Sequence, residues 1–111
     1  MAGTHNFVCE QGATFIRDVT PKDSAQIVRD LTGYSARMQV RLTAATPTTV
    51  LSLVSPTNIT VGATGMTITI AATATAAVPA GCYVYDLEIE KDGIVERVIQ
   101  GDFIVDAEVT R

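Results

Sequence analysis

A chain of 111 residues fits one domain, long enough to bury a core without metals or several disulfides. Its 47% apolar content excludes a disordered chain, and a net charge of −4, with two Lys and six scattered Arg, excludes a phosphate-reading surface. Met1–Phe7 lacks the basic and apolar regions of a signal peptide, and no apolar run nears the ~20 residues that span a bilayer. The protein is therefore expected to be made in a cytoplasm and to stay soluble there, with neither nucleic acid nor membrane as partner.

Alternation of apolar and polar residues, the period of half-buried strands, dominates the chain. In chain order it predicts strands near 5–11, 13–20, 34–43, 48–54, 58–61, 66–71, 82–90 and 94–106. The cleanest runs set Ala36, Met38, Val40 and Leu42 against Arg37, Gln39 and Arg41, and Tyr83, Tyr85, Leu87 and Ile89 against Val84, Asp86, Glu88 and Glu90. Turn chemistry separates the runs at Thr20–Ser24, Asp30–Gly33, Ser55–Asn58, Gly62–Gly65 and Asp92–Gly93. The Ala-rich stretch Ala72–Val78 is too short for more than a helical turn or two.

A two-residue loop at Asp92–Gly93 would set Glu88 opposite Arg97; a three-residue loop would set Ile89 opposite Val95 and Glu88 against Glu96. Both registers stay open. Gly101, inside the last strand, marks a bulge or a close backbone approach.

Seven or eight short strands in this length define an all-β protein, an immunoglobulin-like antiparallel β-sandwich. Residues 1–11 are read as an N-terminal arm or first strand and 12–111 as the sandwich. The polar head Met1–Asn6 is expected to be mobile, and the edges are expected at Phe7–Gln11 and Phe103–Val109. The expected core is Met38, Val40, Leu42, Leu53, Ile68, Ile70, Tyr85, Leu87, Phe103 and Val105. Gly81-Cys82-Tyr83 has the spacing of a tyrosine corner, in which a Tyr hydroxyl turns back onto nearby backbone; Tyr85 then stands where an antibody domain carries its core Cys. The chain has no Trp and only two Cys, Cys9 and Cys82. Both are expected to be free thiols acting as small buried hydrophobes, because Cys9 lies in the first strand and not in an inner one.

No catalytic, cofactor-binding or metal-ligating residue is assigned. His5 is the single histidine, which excludes a triad and leaves a Cys-His zinc site short of ligands. Gly62–Gly65 lacks the Lys and helix of a phosphate loop. Asp86, Glu88 and Glu90 line one strand face at roughly 6.5–7 Å intervals, a spacing compatible with a glycosidase pair or part of a calcium site. Such sites draw on loops and concave pockets, so the acidic stripe reads as a solvated strand face, as do Arg37 and Arg41 on another strand. The two faces are candidates for complementary patches between copies of the protein.

Three stretches carry a resemblance. Asp30–Arg41 ("DLTGYSARMQVR"), Pro79–Glu88 ("PAGCYVYDLE") and the ending Glu108–Arg111 ("EVTR") make the chain, from about Gly12 to Arg111, similar to small structural proteins of tailed phages and prophages. Among these are immunoglobulin-like domains such as the N-terminal domain of baseplate upper proteins. The resemblance implies a non-enzymatic virion structural protein, tail- or baseplate-associated. It would be made in the bacterial host cytoplasm and dock onto other phage structural proteins, with a homo-oligomer as an option and no cofactor. The alternative is a small carbohydrate- or ligand-binding β-sandwich module, which calls for exposed stacking aromatics.

Overall fold

A computed structural model describes residues 3–22 and 28–109; the predicted turn at Thr20–Ser24, the head Met1–Asn6 and the ending Glu108–Arg111 each lie partly outside them. Nine strands and one short helix are described: β1 (Gly3–Thr4), β2 (Phe7–Glu10), β3 (Phe15–Val19), β4 (Ser35–Arg41), β5 (Thr49–Val54), β6 (Ile59–Gly62), β7 (Gly65–Ile70), α1 (Ala72–Ala76), β8 (Gly81–Lys91) and β9 (Ile94–Asp106). They form the expected all-β sandwich of two sheets, with nine strands where seven or eight were expected. One sheet has the order β1-β9-β8-β4-β5, with β2 also on β9; the other has the order β3-β7-β6. The pairing is antiparallel throughout except that β1 and β2 run parallel to β9.

Alternation decides which side chains meet between the sheets. The large sheet contributes Phe7, Cys9, Ala36, Met38, Val40, Leu53, Tyr83, Tyr85, Leu87, Ile89, Phe103 and Val105; the small sheet contributes Phe15, Val19, Ile59, Met66, Ile68 and Ile70. An aromatic chain runs through this core. Phe7 packs on Phe15 and Tyr85 at centroid distances of 5.6 and 5.0 Å, and Phe15 packs on Phe103 at 5.5 Å. Nine of the ten expected core residues are buried. The tenth, Leu42, is 59% exposed. The β4–β5 ladder bulges between Val40 and Arg41 and β4 stops at Arg41, so Leu42 falls in the connection where alternation no longer places side chains.

The tyrosine corner is present: the Tyr83 hydroxyl donates to the Pro79 carbonyl at 2.7 Å. Tyr85 fills its inward place at 4% exposure and donates its hydroxyl to the His5 carbonyl. That bond helps dock the head. His5 N–H donates to the Gln100 carbonyl, Asn6 Oδ1 accepts from Asp102 N–H, and Gly3–Thr4 pairs with Ile99–Gln100. Residues 3–6 are thus built into the sheet, contrary to the expected mobile head; backbone bonds hold them where apolar side chains are lacking. Gly101 permits this. A Cβ there would lie 2.3 Å from the His5 carbonyl oxygen, so its glycine marks a close backbone approach. The bulge in this hairpin lies elsewhere: the register shifts between Leu87, facing Ile99, and Glu88, facing Arg97, which leaves Val98 of β9 as the extra residue.

The hairpin register is the two-residue one. Lys91 faces Ile94 and Glu88 faces Arg97, across a turn with Asp92 at φ 54° and Gly93 at φ 79°. Positive φ at both central residues matches the right-handed strand twist, and Asp-Gly accepts it at least cost. The helix-prone stretch forms α1. Its buried Thr75 hydroxyl accepts from Gly12 N–H at 3.1 Å and lies 2.8 Å from the Ala13 carbonyl, tying the sheet connection to the start of β3.

Candidate functional site

The outer face of the large sheet holds the charges that the sequence singled out. Asp86, Glu88 and Glu90 project from β8, and Arg37 and Arg41 from β4. The two strands are neighbours, with Arg37 opposite Glu88. Arg37 Nε donates to Glu88 at 2.9 Å and its Nη1 to Glu90 at 3.2 Å, while Arg97 Nε lies 3.5 Å from Asp86. The hydrogen bond to Glu88 holds the Arg37 guanidinium above its ordinary pKa. Acidic and basic side chains therefore pair with each other within one chain. Arg41 is also engaged, donating to the Thr46 and Pro47 carbonyls and to Gln39.

Beside this lattice lies a groove of about 440 Å³, lined among others by Gln39, Arg41, Asp86, Arg97, Gln100 and Asp102. Its lining mixes polar and apolar surface, and Arg97 and Asp86 pair with each other across it. Tyr85 is the one aromatic residue lining it, and its ring is buried, so no stacking platform faces the opening. Among the described residues, no three His, Cys, Asp or Glu side chains converge to hold a metal ion.

The two cysteines part company. Cys9 is buried and opposes Val105 on β9; Cys82 is exposed and opposes Ile104 on the other flank of the same strand. Adjacent residues of β9 point to opposite faces, so the two thiols lie on opposite faces of the sheet, two strand spacings apart, and both are free. Burial pushes the Cys9 thiol pKa up. The exposure of Cys82 corrects the expectation of two buried hydrophobes. His5 is exposed and its ring packs edge-on against Phe7 at 4.9 Å.

The outer face of the small sheet is of another kind. Ile16 faces Thr69 across the β3–β7 ladder, and Asp18, Thr67 and Thr60 form the next row across all three strands. Ile16 is 54% exposed, and the only charge in these rows, Asp18, accepts a hydrogen bond from Thr67 at 2.9 Å.

Polar groups cap parts of the edges of the large sheet, and none of these was singled out in the sequence for that role. Arg17 occupies an inward position of β3, yet it reaches sideways. It stacks over Phe15 at 4.5 Å and donates to the Val8 carbonyl of β2 at 3.1 Å. Asn58 takes the last edge groups of β5, its N–H donating to the Val54 carbonyl at 2.8 Å. Arg29 holds Glu96 of β9 with two bonds, at 2.7 and 3.1 Å, and that hydrogen bonding lowers the Glu96 pKa. The readable signal was Arg17, a charge at inward parity, a known device for guarding edges. The expected edge at Phe103–Val109 is overturned. Phe103–Asp106 pairs with β2 on one side and, through Val105, with β8 on the other, so it is interior. Phe7–Glu10 is the outer strand there, as expected.

No known protein-family model matches this sequence, and no curated protein is significantly similar to it.

Proposed function

We propose that the chain is a non-enzymatic structural protein of a tailed-phage or prophage particle, tail- or baseplate-associated, that works by docking onto other virion proteins. The resemblance along Asp30–Arg41 and Pro79–Glu88 supplies the class. The observation that carries docking is the outer face of the small sheet: Ile16, Thr60, Thr67 and Thr69 present short, β-branched side chains around a single carboxylate. Covering such a face costs little rotamer freedom and strips few charges of water. The particle is assembled in the host cytoplasm, and the chain's partners are other phage proteins. Mass spectrometry of purified, induced particles tests this, together with deletion of the gene. The protein is expected in the particle and the deletion is expected to impair assembly or infectivity; absence from particles with intact infectivity sinks the reading.

The carbohydrate-binding alternative draws on the groove beside Gln39, Arg41, Asp86 and Asp102, whose planar polar groups suit sugar hydroxyls. A glycan-array screen reads it directly.

A further inference from the structure

We infer that β5 is a two-fold strand-pairing edge for a second copy of this chain, centred on Leu51. β5 is the terminal strand of the large sheet, and among the described residues no strand lies beyond it. Its stretch Val50-Leu51-Ser52-Leu53-Val54 carries no charge, Pro or Gly, which are the usual means of blunting an exposed edge. Leu51 and Val50 are only partly buried, because the core ends with this strand.

The hydrogen-bond alternation fixes which groups are free. Ser55 N–H donates to the Ala36 carbonyl of β4, so Leu53 and Leu51 share that inward bonding parity. The N–H and C=O of Ser52 and Val54 therefore point away from β4. Those of Val54 are taken by Asn58, which leaves Ser52. A partner strand must accordingly pair through Ser52 and stop short of Val54.

This chain's own β5 meets both conditions in one register. A two-fold axis at Leu51 sets Leu51 against its copy, Ser52 against Val50, which the β4–β5 bulge leaves without a partner on β4, and Leu53 against Thr49. Thr49 is the first residue of the strand, so the copy leaves the ladder where Asn58 begins. Centring on Ser52 would instead require Val54, which Asn58 holds. Each copy then covers the other's half-exposed Leu51, extending the sheet and core across the axis. No charge opposes its like: Arg37 and Arg41 stand on β4, so the two sets lie three strand spacings apart, roughly 14 Å or more.

Purified chain alone tests this pairing, so its failure and that of the virion reading are distinguishable. Sedimentation velocity across micromolar to near-millimolar concentrations is expected to show a monomer–dimer equilibrium. Ser52→Lys, at an exposed position, is expected to weaken it at least tenfold while leaving circular dichroism unchanged. In a Cys82→Ser background, Leu51→Cys is expected to form an intermolecular disulfide on mild oxidation, because a non-hydrogen-bonded pair sets the Cα atoms about 4.5 Å apart. Val54→Cys is expected not to. A chain that stays monomeric throughout, a Ser52→Lys dimer as tight as the parent, or equal cross-linking at both positions overturns the inference.

Discussion

The two sheets bury apolar inner faces against each other and turn opposite kinds of surface to solvent. On the large sheet, Arg37, Glu88, Glu90, Asp86 and Arg97 form a lattice of long, charged side chains already paired with one another. On the small sheet the outer rows are Ile16 with Thr69 and Asp18 with Thr67 and Thr60. A partner covering the first face must immobilise side chains worth ~1.5–2 kcal/mol each in rotamer entropy and desolvate ions; covering the second avoids most of that. One fold thus carries a face that resists burial and a face that accepts it, although both arise from the same alternation.

The largest effects are expected where inner and outer positions are contrasted. Leu87 is fully buried between β4 and β9. Leu87→Ala is expected to cost ~2–5 kcal/mol, from lost transfer energy and the cavity left behind. Ile16→Ala, on the outer face of the small sheet, is expected to stay within about 0.5 kcal/mol. Chemical denaturation of both variants checks the pair, and comparable losses would mean that Ile16 is part of the core.

Next comes the seam where the head joins the large sheet. Gly101→Val drives a side chain onto the His5 carbonyl, and overpacking of this kind costs ~1–3 kcal/mol. Hydrogen exchange is expected to quicken at residues 3–10 while β4 and β8 stay protected. Uniform loss of protection would show that the head is integral to the cooperative core and not a docked margin.

Tyr85 sets a pH limit on the same seam. Burial pushes its pKa up to about 12, against an ordinary value of 10.0. A folded pKa raised above the unfolded one contributes stability that is present below pH 10 and is lost as pH rises toward 12. Denaturation midpoints are expected to fall over that interval, and Tyr85→Phe is expected to remove this component of the fall. A Tyr85→Phe profile identical to the parent would assign the loss to other groups.

Much of the fold was legible because period-2 patterning carries both strand identity and facing, as in Met38–Val40 and Tyr83–Ile89. Legibility failed where facing depends on chain ends and crossings. Leu42 kept the pattern but lay past the end of its strand. Leu31, Phe7 and Phe15 are buried core residues that the expected set omitted, since a single loop leucine or a strand of four or five residues offers too few positions to fix a phase. The acidic stripe was visible in one strand. Its neutralisation was not, because Arg37 lies about 50 residues away and only the β4–β8 ladder sets it opposite Glu88. The Asp92–Gly93 turn was readable, but the choice between registers needed the backbone conformation that places both residues at positive φ.

The smallest expected effect sharpens the contrast between the two outer faces. Arg37 contacts Glu88 and Glu90, but the three side chains keep 48%, 25% and 39% of their surface in water. Ion pairs so exposed gain little, because solvent and salt screen the attraction while ordering two long side chains opposes it. Arg37→Ala is therefore expected to leave the denaturation midpoint unchanged within measurement error, at low and at high salt. What changes is the surface: Glu88 and Glu90 lose their ion-pair partner, while Asp86 keeps Arg97. Ile16→Lys on the small sheet is likewise expected to leave the midpoint alone, yet to reduce incorporation into phage particles, where Arg37→Ala does not. Should Arg37→Ala abolish incorporation while Ile16→Lys is tolerated, the docking face is the charged lattice, and the entropy argument that favoured the threonine rows is wrong.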